Sequence, residues 1–153
     1  MIILSTTQIK EIADQLDCGL KCFYNRKTNE IKEILDFDNN PGADEEVWQD
    51  LLDEIEEHFE DYFVFEQMSS NESFQVMVAF VNEVEDETFR KRLVWALNRS
   101  HPFRNFKDEI DYNGEYRERW FKFKEDKYID YVKKKILEYN QIEALNLDEK
   151  GQA

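Results

Sequence analysis

The chain has 153 residues, of which 41% are hydrophobic and 14% aromatic, and its 35 acidic and 20 basic side chains leave a net charge of −15. That apolar share is enough for a core and excludes global disorder, no apolar run approaches the ~20 residues that span a bilayer, and the two cysteines cannot form a disulfide framework. A cytoplasmic protein is expected, with one globular domain over residues 1–146 and a tail without regular structure over 147–153.

The predicted elements begin with a helix. Ser5 and Gln8 have capping-box spacing, and Ile9, Ile12, Ala13 and Leu16 then fall on one helical face. Gly19 marks its end. Leu20–Arg26 alternates, Lys27–Asn29 reads as a turn, and Glu30–Leu35 returns as a second strand, so a β-hairpin follows the helix. A lone hairpin is marginal, and the aromatic run Tyr62–Phe65 is the natural third strand. Asn39–Gly42 reads as a loop, after which Asp44 caps a helix whose stripe is Val47, Trp48, Leu51, Leu52, Ile55 and Phe59.

Ser69 and Glu72 form a second capping box before Phe74, Met77, Val78 and Val81. Asp86 caps the next helix, in which Phe89, Leu93, Ala96 and Leu97 share a face. Pro102 opens a further helix that buries Phe103, Phe106 and Ile110, and Asn113-Gly114 closes it. From Tyr116 to about Tyr139 the pattern is helical, unbroken or interrupted near Lys124-Glu125-Asp126. The fold class is therefore α+β and helix-dominated: an N-terminal helix, a hairpin with a short third strand, then four or five packed helices. Trp48, Leu51, Leu52, Ile55, Phe74, Met77, Val78, Val81, Leu93, Leu97, Phe103, Phe106 and Trp120 are expected in one core.

Three stretches resemble a bacterial family described only as an uncharacterised protein family. The first is Leu16-Asp17-Cys18-Gly19-Leu20-Lys21-Cys22-Phe23-Tyr24-Asn25 with Thr28-Asn29-Glu30-Ile31, where the family commonly has Gly at the position of Asn29. The second is Met77-Val78-Ala79-Phe80-Val81, in which Val78 stands where the family usually has Glu. The third and most specific is Ala96-Leu97-Asn98-Arg99-Ser100-His101-Pro102-Phe103-Arg104-Asn105-Phe106-Lys107-Asp108, followed by Trp120-Phe121; the family typically has Gly near Asn98. The resemblance covers about Leu16 to Leu137. It implies the same α+β fold and no activity.

Familiar catalytic and cofactor patterns are missing. The four glycines are isolated at Gly19, Gly42, Gly114 and Gly151, so no phosphate-cradling loop of the P-loop or dinucleotide type is encoded. Cys18 and Cys22 with His58 and His101 fall short of a zinc signature, and two core cysteines are the simpler reading. No Gly-x-Ser-x-Gly elbow is present. The carboxylates Asp50, Asp53, Glu54 and Glu57 line one helix face but lack calcium-loop spacing. No cofactor and no metal are expected.

The charge is unevenly placed. Met1–Thr88 holds 5 basic and 23 acidic residues, net −18; Phe89–Ala153 holds 15 and 12, net +3. Asp38–Glu66 has 12 carboxylates and no Lys or Arg. Long-range repulsion disfavours double-stranded DNA and anionic membranes. Arg90–Lys127, with 11 basic and 7 acidic residues, is the exception. Within it Arg99, His101, Arg104 and Lys107 gather around a predicted helix start, a corner suited either to an anionic ligand or partner or to neutralising the acidic half of the chain. The leading reading is a non-enzymatic interaction module that binds another protein through an acidic helix face and this basic corner. The alternatives are an enzyme for an anionic substrate, with Arg99, Arg104 and Lys107 as clamp and His101 as acid/base, and a single-stranded RNA binder. The sequence leaves the oligomeric state open.

Overall fold

A computed structural model describes residues 1–37, 40, 42 and 44–152. Six α-helices and a three-stranded antiparallel sheet make up the regular structure of the described residues: α1 Thr6–Asp17, β1 Leu20–Asn25, β2 Ile31–Leu35, α2 Gln49–Glu57, β3 Tyr62–Phe65, α3 Ser70–Glu83, α4 Glu87–Leu97, α5 Pro102–Asp111 and α6 Gly114–Gln152. This is the expected helix-dominated α+β class. Two compact units divide the chain, one formed by Met1–Gln67 with Tyr128–Ala153, the other by Met68–Lys127. Helix α6 runs unbroken from the second unit into the first, so Lys124-Glu125-Asp126 is no interruption.

In the first unit the capping box opens α1: the Gln8 amide donates to Ser5 Oγ at 3.1 Å and the Ser5 amide to Gln8 Oε1 at 2.9 Å. The chain leaves α1 through Gly19, whose φ of +93° is costly for any residue with a Cβ. In the hairpin Leu20 faces Leu35 and Tyr24 faces Ile31. Its turn is fixed by Asn25, whose side-chain oxygen accepts from the Lys27 and Thr28 amides at 2.9 and 3.1 Å. Asn29 holds φ 63° there, the position where the resembling family carries Gly, and the Tyr24 hydroxyl donates to its side chain at 2.7 Å.

Strand β3 is the expected third strand and makes β1 central, with order β2-β1-β3 and Cys22 opposite Phe65. Phe23, Ile34 and Tyr62 share one sheet face and pack with Trp48, Leu51, Leu52 and Ile55 from α2 and the turn before it. Phe63 and Phe65 lie on the other face, where Phe63 meets Tyr139 of α6 with ring centroids 4.2 Å apart.

Of the predicted α2 stripe Ile55 is buried, Trp48, Leu51 and Leu52 are partly buried, and two members are exposed. Asp44 caps as expected, accepting from the Glu46 amide at 3.0 Å, but Glu45–Trp48 and Phe59–Asp61 are 3₁₀ turns flanking α2. Three residues per turn rotates Val47 and Phe59 off the α-helical stripe, leaving them 75% and 71% exposed. Asn39 and Pro41 of the predicted loop lie outside the described residues.

The second unit is built around rings. Met77, Phe80, Val81, Val84, Phe89, Leu93, Phe106, Ile110, Tyr116 and Trp120 form one buried cluster. Trp120 meets Phe106 and Phe80 edge-on at 4.8 and 5.3 Å between centroids, and Phe89 stacks on Tyr116 at 4.9 Å. The single core expected from sequence is thus divided: the α2 stripe and the α3–α5 stripes belong to different clusters. Val78 is only partly buried, and Phe103 is 43% exposed, touching the core edge through Phe74 at 6.5 Å.

Residues 147–152, expected as a tail without regular structure, belong to α6. Good helix formers such as Leu147, Glu149 and Lys150 let the hydrogen-bonded ladder continue without an apolar stripe to bury, and residues 147–151 are exposed.

Candidate functional site

Of the four predicted site residues, Arg99 and His101 lie in one connection, and Arg104 and Lys107 lie in the helix that follows it. Helix α4 ends at Leu97, Asn98–His101 form the turn, and α5 starts at Pro102. The turn is tight enough to force His101 into the left-handed region (φ 59°, ψ 56°) without a side-chain cap, a strain of roughly 1–2 kcal/mol for a residue with a Cβ. Asn105 holds it closed, its side-chain amide donating to the Ser100 carbonyl at 2.8 Å and the Ala96 carbonyl at 3.3 Å. Arg92 and Glu109 tie α4 to α5 at 3.0 Å.

Arg99, His101, Arg104 and Lys107 are all exposed. The guanidinium of Arg99 stacks on Trp95 one turn earlier, 3.6 Å from the ring centroid, while Trp95 stays 53% exposed. Within the second unit, no carboxylate of the described residues pairs with Arg99, Arg104 or Lys107. Trp95 is not among the site residues predicted from the sequence. Its i, i+4 spacing to Arg99 was visible, but only the packing of Leu93 and Ala96 inward turns Trp95 outward.

Two shallow depressions adjoin Trp95. One, about 370 Å³, is lined by Trp95, Arg99, Ser100 and Asn105. The other, about 510 Å³, is lined by Thr88, Lys91, Arg92, Trp95 and Glu109. Among the described residues, His101 lines neither, and the first is lined by no carboxylate, thiol or imidazole with which to move a proton.

The remaining chemistry-bearing residues sit apart. Cys22 is fully buried in β1, where desolvation, with the charges of Glu33 and Glu11, pushes its thiol up to about 12, so it is protonated at neutral pH. Cys18, at the C-cap of α1, is exposed. Among the described residues, no group of three or more His, Cys, Asp or Glu is placed to hold a metal ion. No helix among them is long and apolar enough to cross a membrane. On the acidic segment Lys32 of β2 pairs with Glu54 of α2 at 2.7 Å, which lowers the Glu54 carboxyl and raises the Lys32 ammonium.

The sequence matches the Uncharacterised protein family (UPF0158) over residues 1–151, and the chain belongs to that family. No curated protein and no solved structure matches it.

Proposed function

We propose that this family member is a single-domain, non-enzymatic, cytoplasmic interaction module that binds an acidic surface of another protein at its α4–α5 corner. One observation carries the reading: Trp95 is half-exposed under Arg99, with Arg104 and Lys107 free of carboxylates within the second unit. Trp and Arg in a partly desolvated patch are the residue types that dominate protein–protein binding energy. Arg99, which lines the depression beside Trp95, gives that patch its sign.

The enzyme alternative needs a second titratable group in a concavity at His101, whereas among the described residues the depression at Trp95 is lined by Trp, Arg, Ser and Asn and not by His101. Single-stranded RNA would also suit an Arg–Trp stack, but a strand needs successive aromatic platforms, and among the described residues Trp95 is the one ring lining the two depressions.

The test is a titration of a poly-glutamate peptide and of a short single-stranded RNA, against wild type and the Arg104→Ala/Lys107→Ala double variant, at ~50 and ~300 mM salt. The peptide should bind more tightly than the RNA, weaken with salt and lose at least about tenfold in the double variant, a change of ~1.4 kcal/mol. Equal binding by the double variant refutes the site. Tighter RNA binding with the same dependence would replace the protein partner with nucleic acid.

A further inference from the structure

We infer that the acidic partner of the α4–α5 corner is a second copy of this chain, whose residues 44–61 supply the carboxylates; the inference rests on the interaction-module reading above. The chain carries both halves of a complementary pair of surfaces. On the first unit Glu45, Glu46, Asp50, Glu56, Glu57 and Glu60 are exposed, and within that unit none of their carboxylates has a basic partner among the described residues. The bases near them are committed elsewhere, Lys27 to Asp61 at 3.2 Å and Lys32 to Glu54. On the second unit Arg99, Arg104 and Lys107 are cations with no carboxylate partner within that unit among the described residues.

The apolar content matches as well. The acidic segment exposes Val47 and Phe59, and the basic corner exposes Val94, Trp95 and Phe103. Each surface therefore carries exposed apolar side chains as well as charge, and an interface uses both. A two-fold dimer uses such a pair twice, because residue i of one copy meets residue j of the other and the reverse holds by symmetry. Two chains of net charge −15 repel at a distance. At physiological ionic strength that repulsion is screened beyond roughly 8 Å, whereas ion pairs across a contact are not.

Sedimentation velocity over a concentration series in ~150 mM salt reads the association directly. Wild type should show a monomer–dimer equilibrium. The triple variant Arg99→Glu/Arg104→Glu/Lys107→Glu should weaken dimerisation at least tenfold, as should Glu56→Lys/Glu57→Lys/Glu60→Lys. An equimolar mixture of the two should associate again, since the reversed charges match across one of the two contacts. Circular dichroism of each variant checks that the fold is intact. The inference is overturned if wild type is monomeric throughout, if either triple variant dimerises like wild type, or if the mixture stays monomeric. A monomeric wild type that still binds poly-glutamate in an Arg104- and Lys107-dependent way would sink self-association and leave the module reading standing. Loss of both would sink the two together.

Discussion

The two units solve the problem of a charge-rich sequence in opposite ways. In the first, bases are scarce and are drawn into internal ties. Lys21 reaches Glu66 and the buried Asp36, Lys27 reaches Asp61, and Lys32 reaches Glu54. Arg26 donates to the Tyr139 hydroxyl and to the Glu60 carbonyl, joining the hairpin turn to α6 and to the 3₁₀ turn before β3. Carboxylates in excess of these ties are left facing water. In the second unit aromatic rings supply the cohesion, and several cations are left outside the ion-pair network. What differs is the balance of charge: the first unit holds 9 basic and 23 acidic residues, the second 11 and 12.

The largest effect that would sharpen this contrast lies in the ring core. Phe106→Ala removes a ring that is 2% exposed and touches Phe80 and Trp120, and should cost about 3–5 kcal/mol in denaturant unfolding. Phe59→Ala, at a side chain 71% exposed, should change stability by under about 0.5 kcal/mol. Because α6 runs through both units, circular dichroism and tryptophan fluorescence should lose signal in one transition. Equal costs for the two variants, or two separate transitions, would break the comparison.

Next in size is an alkaline effect confined to the first unit. Cys22 stays protonated in the fold up to about 12, whereas an unfolded thiol ionises near ~8.5. A folded value raised above the unfolded one contributes stability that is full below ~8.5 and lost as the pH rises through the folded value. Measured as a difference against Cys22→Ala, the wild type should lose stability more steeply above about pH 9. Parallel pH profiles would contradict the burial of this thiol.

Smaller and matched effects are expected at the two capping boxes, one in each unit. Ser5→Ala and Ser69→Ala each remove the acceptor for an N3 amide, at 3.1 Å in both cases, and should each cost about 1 kcal/mol in thermal or chemical unfolding. A cost at one serine and none at the other would show that the two helix starts are not equivalent.

The smallest is the Lys32–Glu54 pair, exposed on its acidic side. Glu54 is held below the usual carboxylate range, so its share of stability is present above that range and lost as the pH falls through the lowered value. Lys32 is raised, so its share is present below the usual lysine range and lost as the pH rises through the raised value. Lys32→Met should flatten both limbs slightly in a stability–pH profile, with no change near neutrality in their slope.

Local chemistry sufficed for much of this fold. Capping boxes, the Asn25–Asn29 turn, Gly19 and the Pro102 helix start act within a few residues, so α1, the hairpin, α3 and α5 were legible from the sequence, and so was β3 from its aromatic run. The positions of Arg99, His101, Arg104 and Lys107 around the α5 start were legible too, because that helix start is set by local sequence. The division of the apolar stripes between two clusters was not, since helical spacing says that a face is apolar and never which other face covers it. Val47, Phe59 and Phe103 were misjudged for that reason: a 3₁₀ turn or the limited reach of a core edge decides their exposure. Whether Arg99, Arg104 and Lys107 meet carboxylates within their unit likewise depends on distances between elements, which only the tertiary structure fixes.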